Sequence, residues 1–249
     1  MGKSVDPLLL SALRREIQAL GGLATPPLKA LPNPRLAFLR DHLPHGVFPL
    51  GAVHEFRCAQ PESWAASAAF VLSLIQVCFQ PPLRLVWIAH EQPVYPPAWS
   101  SFGIEAPQVL VIHPSHTTEA RWCLLESLRA SGVQAVIANW NQLDMTTSRQ
   151  FQLAVESSGV TAFLLNNHKR PVQQNACFSR WVVQSAPSVL PDDLPGVGYP
   201  TWHIALQKMR HGLPGAWTMV WTPDGFQSVS SLRQQRYVTP LTTPLRKIG

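Results

Sequence analysis

No pair of cysteines in this chain has C-x-x-C spacing. The four thiols, Cys58, Cys78, Cys123 and Cys177, stand far apart among apolar neighbours. That argues against a zinc ribbon or a thioredoxin-type redox pair and reads as four small buried hydrophobes. Charge is sparse, at 14% of residues. No apolar run approaches the ~18 residues of a membrane span. Near the N-terminus Arg14, Arg15 and Glu16 interrupt the leucines before a signal-type apolar region forms. A cytoplasmic protein with no membrane contact is therefore expected. Two further absences are local: no glycine occurs between Gly51 and Gly103, and no lysine between Lys29 and Lys169. After Asp224 there is no acidic residue at all.

What is present points to a folded domain. Hydrophobic residues make up 46% of the 249, enough for a packed core and too many for a disordered chain. Twenty Lys and Arg against 14 Asp and Glu leave a formal charge of +6, which suits nucleic acid or an acidic protein as partner. The 24 prolines predict many loops and no long coiled coil.

Along the chain, 7–20 has helical apolar spacing closed by Gly21-Gly22, and 24–34 is a proline-rich connector expected to lack regular structure. Apolar runs then alternate in type. Strands are predicted at 52–56, 83–89 (LRLVWIA), 108–113 (QVLVIH), 133–138 (VQAVIA) and 160–165 (VTAFLL). Helices are predicted at 63–79, around Ala98, at 118–131 and at 146–158, the last two closed by Gly132 and Gly159. Short strands alternating with helices mean βαβ units, and near-continuous apolar strands mean a parallel sheet covered on both faces. From about 175 the alternation becomes two-residue, at 178–184, 203–210 and 217–221, which predicts an antiparallel extension with a hairpin. The expected organisation is an N-terminal helix and connector over 1–34, an α/β core over 35–228 and a flexible basic tail over 229–249.

In a parallel α/β fold the turn after the first strand is where a phosphate loop would lie. Glycines let backbone N–H groups reach the phosphates, a lysine neutralises them and a Ser or Thr holds magnesium. Here the segment 57–64 (RCAQPESW) has no glycine and no lysine, and Glu62, Ser63 and Trp64 occupy the start of the helix. A later strand should end in an acid that organises magnesium. Residues 133–138 end instead at Asn139, followed by Trp140. Losing two charge-assisted contacts at roughly 1.5–3 kcal/mol each weakens nucleotide binding roughly 10²–10⁴-fold. The site reads as a degenerate nucleotide site. Met1-Gly2-Lys3-Ser4 has the letters of a phosphate loop's end but no preceding strand.

Three segments make the likeness specific. HGVFPLGAVHEF (45–56) with its following Ala-rich helix, and WIAHEQPVYPPAWSSFGI (87–104), resemble the start of a RecA-type core. VTAFLLNN places Asn166 and Asn167 where RecA-like proteins carry a polar nucleotide sensor, and Glu91 falls near their water-activating acid. With LPGVGYPTWHIALQKMRHGLPGAWTMVW (194–221), residues 40–226 resemble the ImuA family. That resemblance implies a RecA-like fold, no catalysis and no cofactor. It also implies work in damage-inducible mutagenesis, supporting translesion synthesis with ImuB, a Y-family-like protein, and a second DnaE-type polymerase III alpha subunit. A RecA-binding regulator, a SulA-like division inhibitor and an NTPase with an unrecognised phosphate loop stand as alternatives.

Other candidates have two readings each. Trp64 and Trp140 either fill the vacated nucleotide pocket or simply pack. Trp87 and Trp181 are read as core. His90 beside Glu91 could be an acid/base pair, but neighbours on a strand end point apart. The basic end, with Arg233, Arg236, Tyr237, Arg246 and Lys247, would suit a DNA strand, an acidic partner surface or plain solvation.

Overall fold

A computed structural model describes residues 33–58, 60–90, 94–141, 143–166, 174–190 and 196–231. The helix expected at 7–20 and the tail beyond 231 lie outside the described residues. Nine strands form one sheet in the order β3-β2-β4-β5-β1-β6-β7-β8-β9. They are β1 (Val53–Arg57), β2 (Leu85–Ile88), β3 (Val109–Ile112), β4 (Ala135–Asn139), β5 (Thr161–Asn166), β6 (Ser179–Val189), β7 (Tyr199–Met209), β8 (Gly215–Thr222) and β9 (Gly225–Ser228). The first six are mutually parallel, and β7, β8 and β9 continue antiparallel from β6. The fold is therefore the mostly parallel α/β sheet with a C-terminal antiparallel extension, an arrangement consistent with a RecA-like core.

Three α-helices cover it: α1 (Pro61–Cys78), α2 (Thr117–Arg129) and α3 (Met145–Ser158). One core cluster joins α1 to the sheet through Phe56, Phe70, Trp87, Phe163 and Trp181. A second joins α2 and α3 to the other face through Val53, Leu124, Val136, Phe151 and Leu164. Parallel strands buried on both faces are why β2, β4 and β5 are nearly unbroken in apolar residues. Trp87 and Trp181 are core, as expected, the first stacked on Trp99 at 5.5 Å. Among the described residues no helix is long and apolar enough to cross a membrane.

Several boundaries differ from expectation for local reasons. Pro34 does not continue an unstructured connector. It opens a 3-10 segment, Pro34–His42, because Asn33 caps it, accepting from the Arg35 N–H and donating to the Val77 carbonyl at 2.7 Å. This segment docks on the β7–β8 hairpin, where the Leu213 N–H meets the His42 carbonyl. The short helix expected at Ala98 is a 3-10 turn, Pro96–Phe102. β6 pairs in parallel with β1 before it pairs antiparallel with β7. Two-residue alternation reports which face is covered and is blind to strand direction. β9 was not expected, since four residues are too few to show a period.

Two polar residues sit at the middle of this apolar sheet, side by side on β1. His54 is fully buried between Phe48 and Phe163. Its Nε2 faces the Pro49 carbonyl at 2.8 Å, which can only accept, so Nε2 carries the proton. Its Nδ1 then accepts from Ser179 Oγ at 2.6 Å, and that hydroxyl in turn accepts from Trp181 Nε1. Burial pushes His54 down from 6.5 to about 4, against the raising effect of the Pro49 bond. Glu55 projects to the opposite face. It accepts from Asn166 at 3.0 Å and Asn175 at 2.9 Å, and pairs with Arg180 at 2.6 Å.

Two outcomes are expected. The unfolded chain binds a proton at His54 that the folded chain refuses. The stability due to keeping it neutral is whole above pH 6.5 and is lost as pH falls toward 4. Urea unfolding should show about 2 kcal/mol less stability from this group at pH 5 than at pH 7, and His54→Gln should flatten that slope. Glu55→Ala leaves Arg180 as a buried uncompensated cation and should cost about 3–5 kcal/mol. A midpoint shift within error would mean the pair contributes nothing.

Candidate functional site

The connection from β1 to α1 is only three residues long, 58–60. Proline opens the helix at Pro61 and supplies no N–H. The N–H groups of Ser63 and Trp64 both turn back to the Gln60 carbonyl, at 3.0 and 3.3 Å. The Trp64 bond is the first regular turn of the helix; of the four N–H positions that a helix start leaves open, Pro61 has no donor and Ser63 is already tied back. The helix begins two residues before the expected start because proline's fixed φ suits its first position. Of the candidate residues here, Glu62 is exposed, Ser63 is buried and Trp64 is half-buried against the α1-side core.

Trp64 and Asn139 meet. The indole Nε1 donates to Asn139 Oδ1 at 3.1 Å, and Asn139 Nδ2 donates to the His90 carbonyl at 3.0 Å. One neighbour can only donate and the other can only accept. The position therefore demands an amide, which offers one of each. A carboxylate could satisfy the indole but would oppose the carbonyl. Asn139 is spent at both ends as a brace between α1, the end of β4 and the end of β2. Trp140 turns away from this brace. It lies edge-on to Phe151, 5.3 Å between ring centres, in the second core cluster.

Beside the brace, between the starts of α2 and α3, lies a cavity of about 380 Å³ lined by His90, Thr117, Arg121, Trp140, Asp144 and Thr147 among others. Its polar groups are largely committed to structure. Asp144 caps α3 through the Thr147 N–H at 2.6 Å, and that bond holds its carboxyl below the usual range. The His90 ring stands 3.4 Å from the Pro114 carbonyl and 3.5 Å from Thr117 Oγ1. Glu91 and Asn167 lie outside the described residues, as do Arg233, Arg236, Tyr237, Arg246 and Lys247. Asn166, next to Asn167, points its amide at Glu55.

Sequence reading missed the second polar constellation. Glu55, Arg180 and Lys208 occupy one row across β1, β6 and β7, in direct register. Lys208 donates to the Asn175 carbonyl at 3.1 Å, and burial lowers its affinity for a proton. Arg210 donates to the Ala176 carbonyl and lies over the Phe178 ring at 5.3 Å. Cys177 is buried in the same place, with its thiol pushed well above the usual range by desolvation. The signal that could have found this row was a Glu inside a strand expected to be covered on both faces, where a carboxylate needs a cationic partner.

No family model matches the chain. It is similar to Protein ImuA of Caulobacter vibrioides strain NA1000 / CB15N, 32% identical over 206 residues that cover 76% of this chain and 84% of that relative. Protein ImuA of Caulobacter vibrioides strain ATCC 19089 gives the same figures.

The brace makes a direct prediction. Asn139→Asp keeps the bond from Trp64 but sets a carboxylate oxygen against the His90 carbonyl, and should lower unfolding free energy by about 1–3 kcal/mol. Calorimetry on Trp64→Lys with Asn139→Asp should show no uptake of magnesium-ATP. An Asn139→Asp protein as stable as its parent would remove the brace as a reason for the amide.

Proposed function

The chain belongs to the ImuA family, and from that premise we propose that it is a non-catalytic accessory protein of the damage-inducible mutagenesis system, built on a RecA-like core. In this reading it supports translesion synthesis as an adaptor for ImuB and a second DnaE-type polymerase III alpha subunit. The observation that carries the non-catalytic part is the amide of Asn139, bonded on one side to Trp64 and on the other to the His90 carbonyl. A magnesium ion wants free oxygen ligands, and a triphosphate wants glycine-lined N–H groups and a lysine. The three-residue β1–α1 connection, the missing N–H at Pro61 and the tied-back N–H of Ser63 support the same conclusion. With the nucleotide chemistry gone, what the fold has left to offer is surface.

The test is affinity capture of the tagged full chain from its own cells after DNA damage, with the bound proteins identified by mass spectrometry. Recovery of a Y-family-like protein or a DnaE-type polymerase is expected. Recovery of RecA alone would replace the adaptor by a regulator of recombination, and recovery of none of these would overturn the reading. ATP turnover by the purified chain above the buffer rate would overturn its non-catalytic half.

A further inference from the structure

The outer face of the α2–α3 pair is unlike an ordinary solvent face. Between the two helices runs a groove of about 570 Å³ whose lining includes Leu125, Leu153 and the buried Ala154. Leu153 is 48% exposed. Trp122, one turn before Leu125 on the same helix, is 65% exposed. Large exposed aromatic and aliphatic side chains gathered beside a groove are the composition of a protein interface.

Among the lining residues the charged ones are both arginines, Arg121 and Arg129. Eight residues apart on α2, they stand about 12 Å apart along the axis. Neither is used up. Arg121 spends one N–H on Gln150 Oε1 at 2.5 Å. Arg129 meets Glu126 at 3.0 Å in a pair more than half exposed on the arginine side, which is weak in water and readily exchanged for another carboxylate. Arg121 also feels the Asp144 carboxylate, which is itself engaged in capping the Thr147 N–H.

We propose that this groove is the docking site for an acidic amphipathic helix of a partner protein. Its apolar stripe would lie along Leu125 and Leu153 under the Trp122 ring, with carboxylates two helical turns apart on Arg121 and Arg129. This is helix-in-groove recognition, with the arginines fixing polarity and register. The inference rests on the adaptor reading only in that a protein partner exists.

The probe is a synthetic helical peptide with leucines on one stripe and glutamates flanking it, against a twin with lysines in their place. Hydrogen exchange on the full chain should show protection of 117–129 and 145–158 by the acidic peptide. The lysine twin should bind at least tenfold more weakly. Arg121→Glu with Arg129→Glu should reverse that preference, and Trp122→Ala should weaken both peptides. The charge-reversed positions are exposed, so an unchanged melting curve will show that the variant folds. Equal binding of the two peptides, protection elsewhere, or no effect of the reversal would overturn the proposal. So would a parent dimer that dissociates on Trp122→Ala, which would make a second copy the occupant. Affinity capture separates this from the adaptor reading. If the reversed variant still recovers the parent's partners, the groove fails and the adaptor stands. If the parent recovers none, the adaptor fails and the peptides still decide the groove.

Discussion

A carboxylate in the middle of an apolar sheet has to be neutralised where it lies, and Glu55 is neutralised by groups that come from everywhere the chain goes next. Asn166 ends β5, Asn175 belongs to the connection that follows, and Arg180 opens β6. Each of these bonds is made only if β1 lies between β5 and β6 in the observed register. Breaking any one leaves a buried polar group unpaired, at a cost far above that of losing a surface contact. His54 does the same on the opposite face through Ser179 and Pro49. The parallel core and the antiparallel extension are thus joined at one strand by two polar sets that tolerate a single pairing.

The brace where β2 and β4 end follows the same logic. Trp64 supplies a donor, the His90 carbonyl supplies an acceptor, and an amide between them satisfies both. Taken one at a time, Trp64 is a bulky ring at a helix start and Asn139 an amide at a strand end. Together they are a matched pair, and the bulk of the indole packs against the α1-side core while its N–H finds a partner. Trp140 belongs to a different cluster, so adjacency in the chain to Asn139 did not mean adjacency in space.

Most of the fold was legible because burial leaves a periodic mark. The parallel strands show as apolar runs and α2 and α3 as helical stripes; α3 closes at Gly159 as expected, whereas α2 ends at Arg129 with Ala130 as its cap, short of the expected Ser131 and Gly132. What was not legible depends on partners. Whether 179–189 ran parallel or antiparallel to its neighbours is invisible in its own alternation. Asn33 looked like part of a proline-rich connector until the Val77 carbonyl was seen to complete its cap. Positions 64 and 139 were marked by what they lack, but the bond between them needed coordinates. Glu55 was not legible because VHEFR mixes polar and apolar residues, and that this carboxylate is buried follows only from the strands on either side of it.

The three-residue connection after β1 sets what substitution can do at this end of the sheet. Side-chain replacements can install a lysine and an acid there. They cannot lengthen a turn, and a phosphate cradle needs about six residues of glycine-rich backbone between strand and helix. Building one would require an insertion that also frees the Ser63 N–H from the Gln60 carbonyl. Single-residue change can therefore remake the surfaces of this fold, while a phosphate cradle lies beyond its reach.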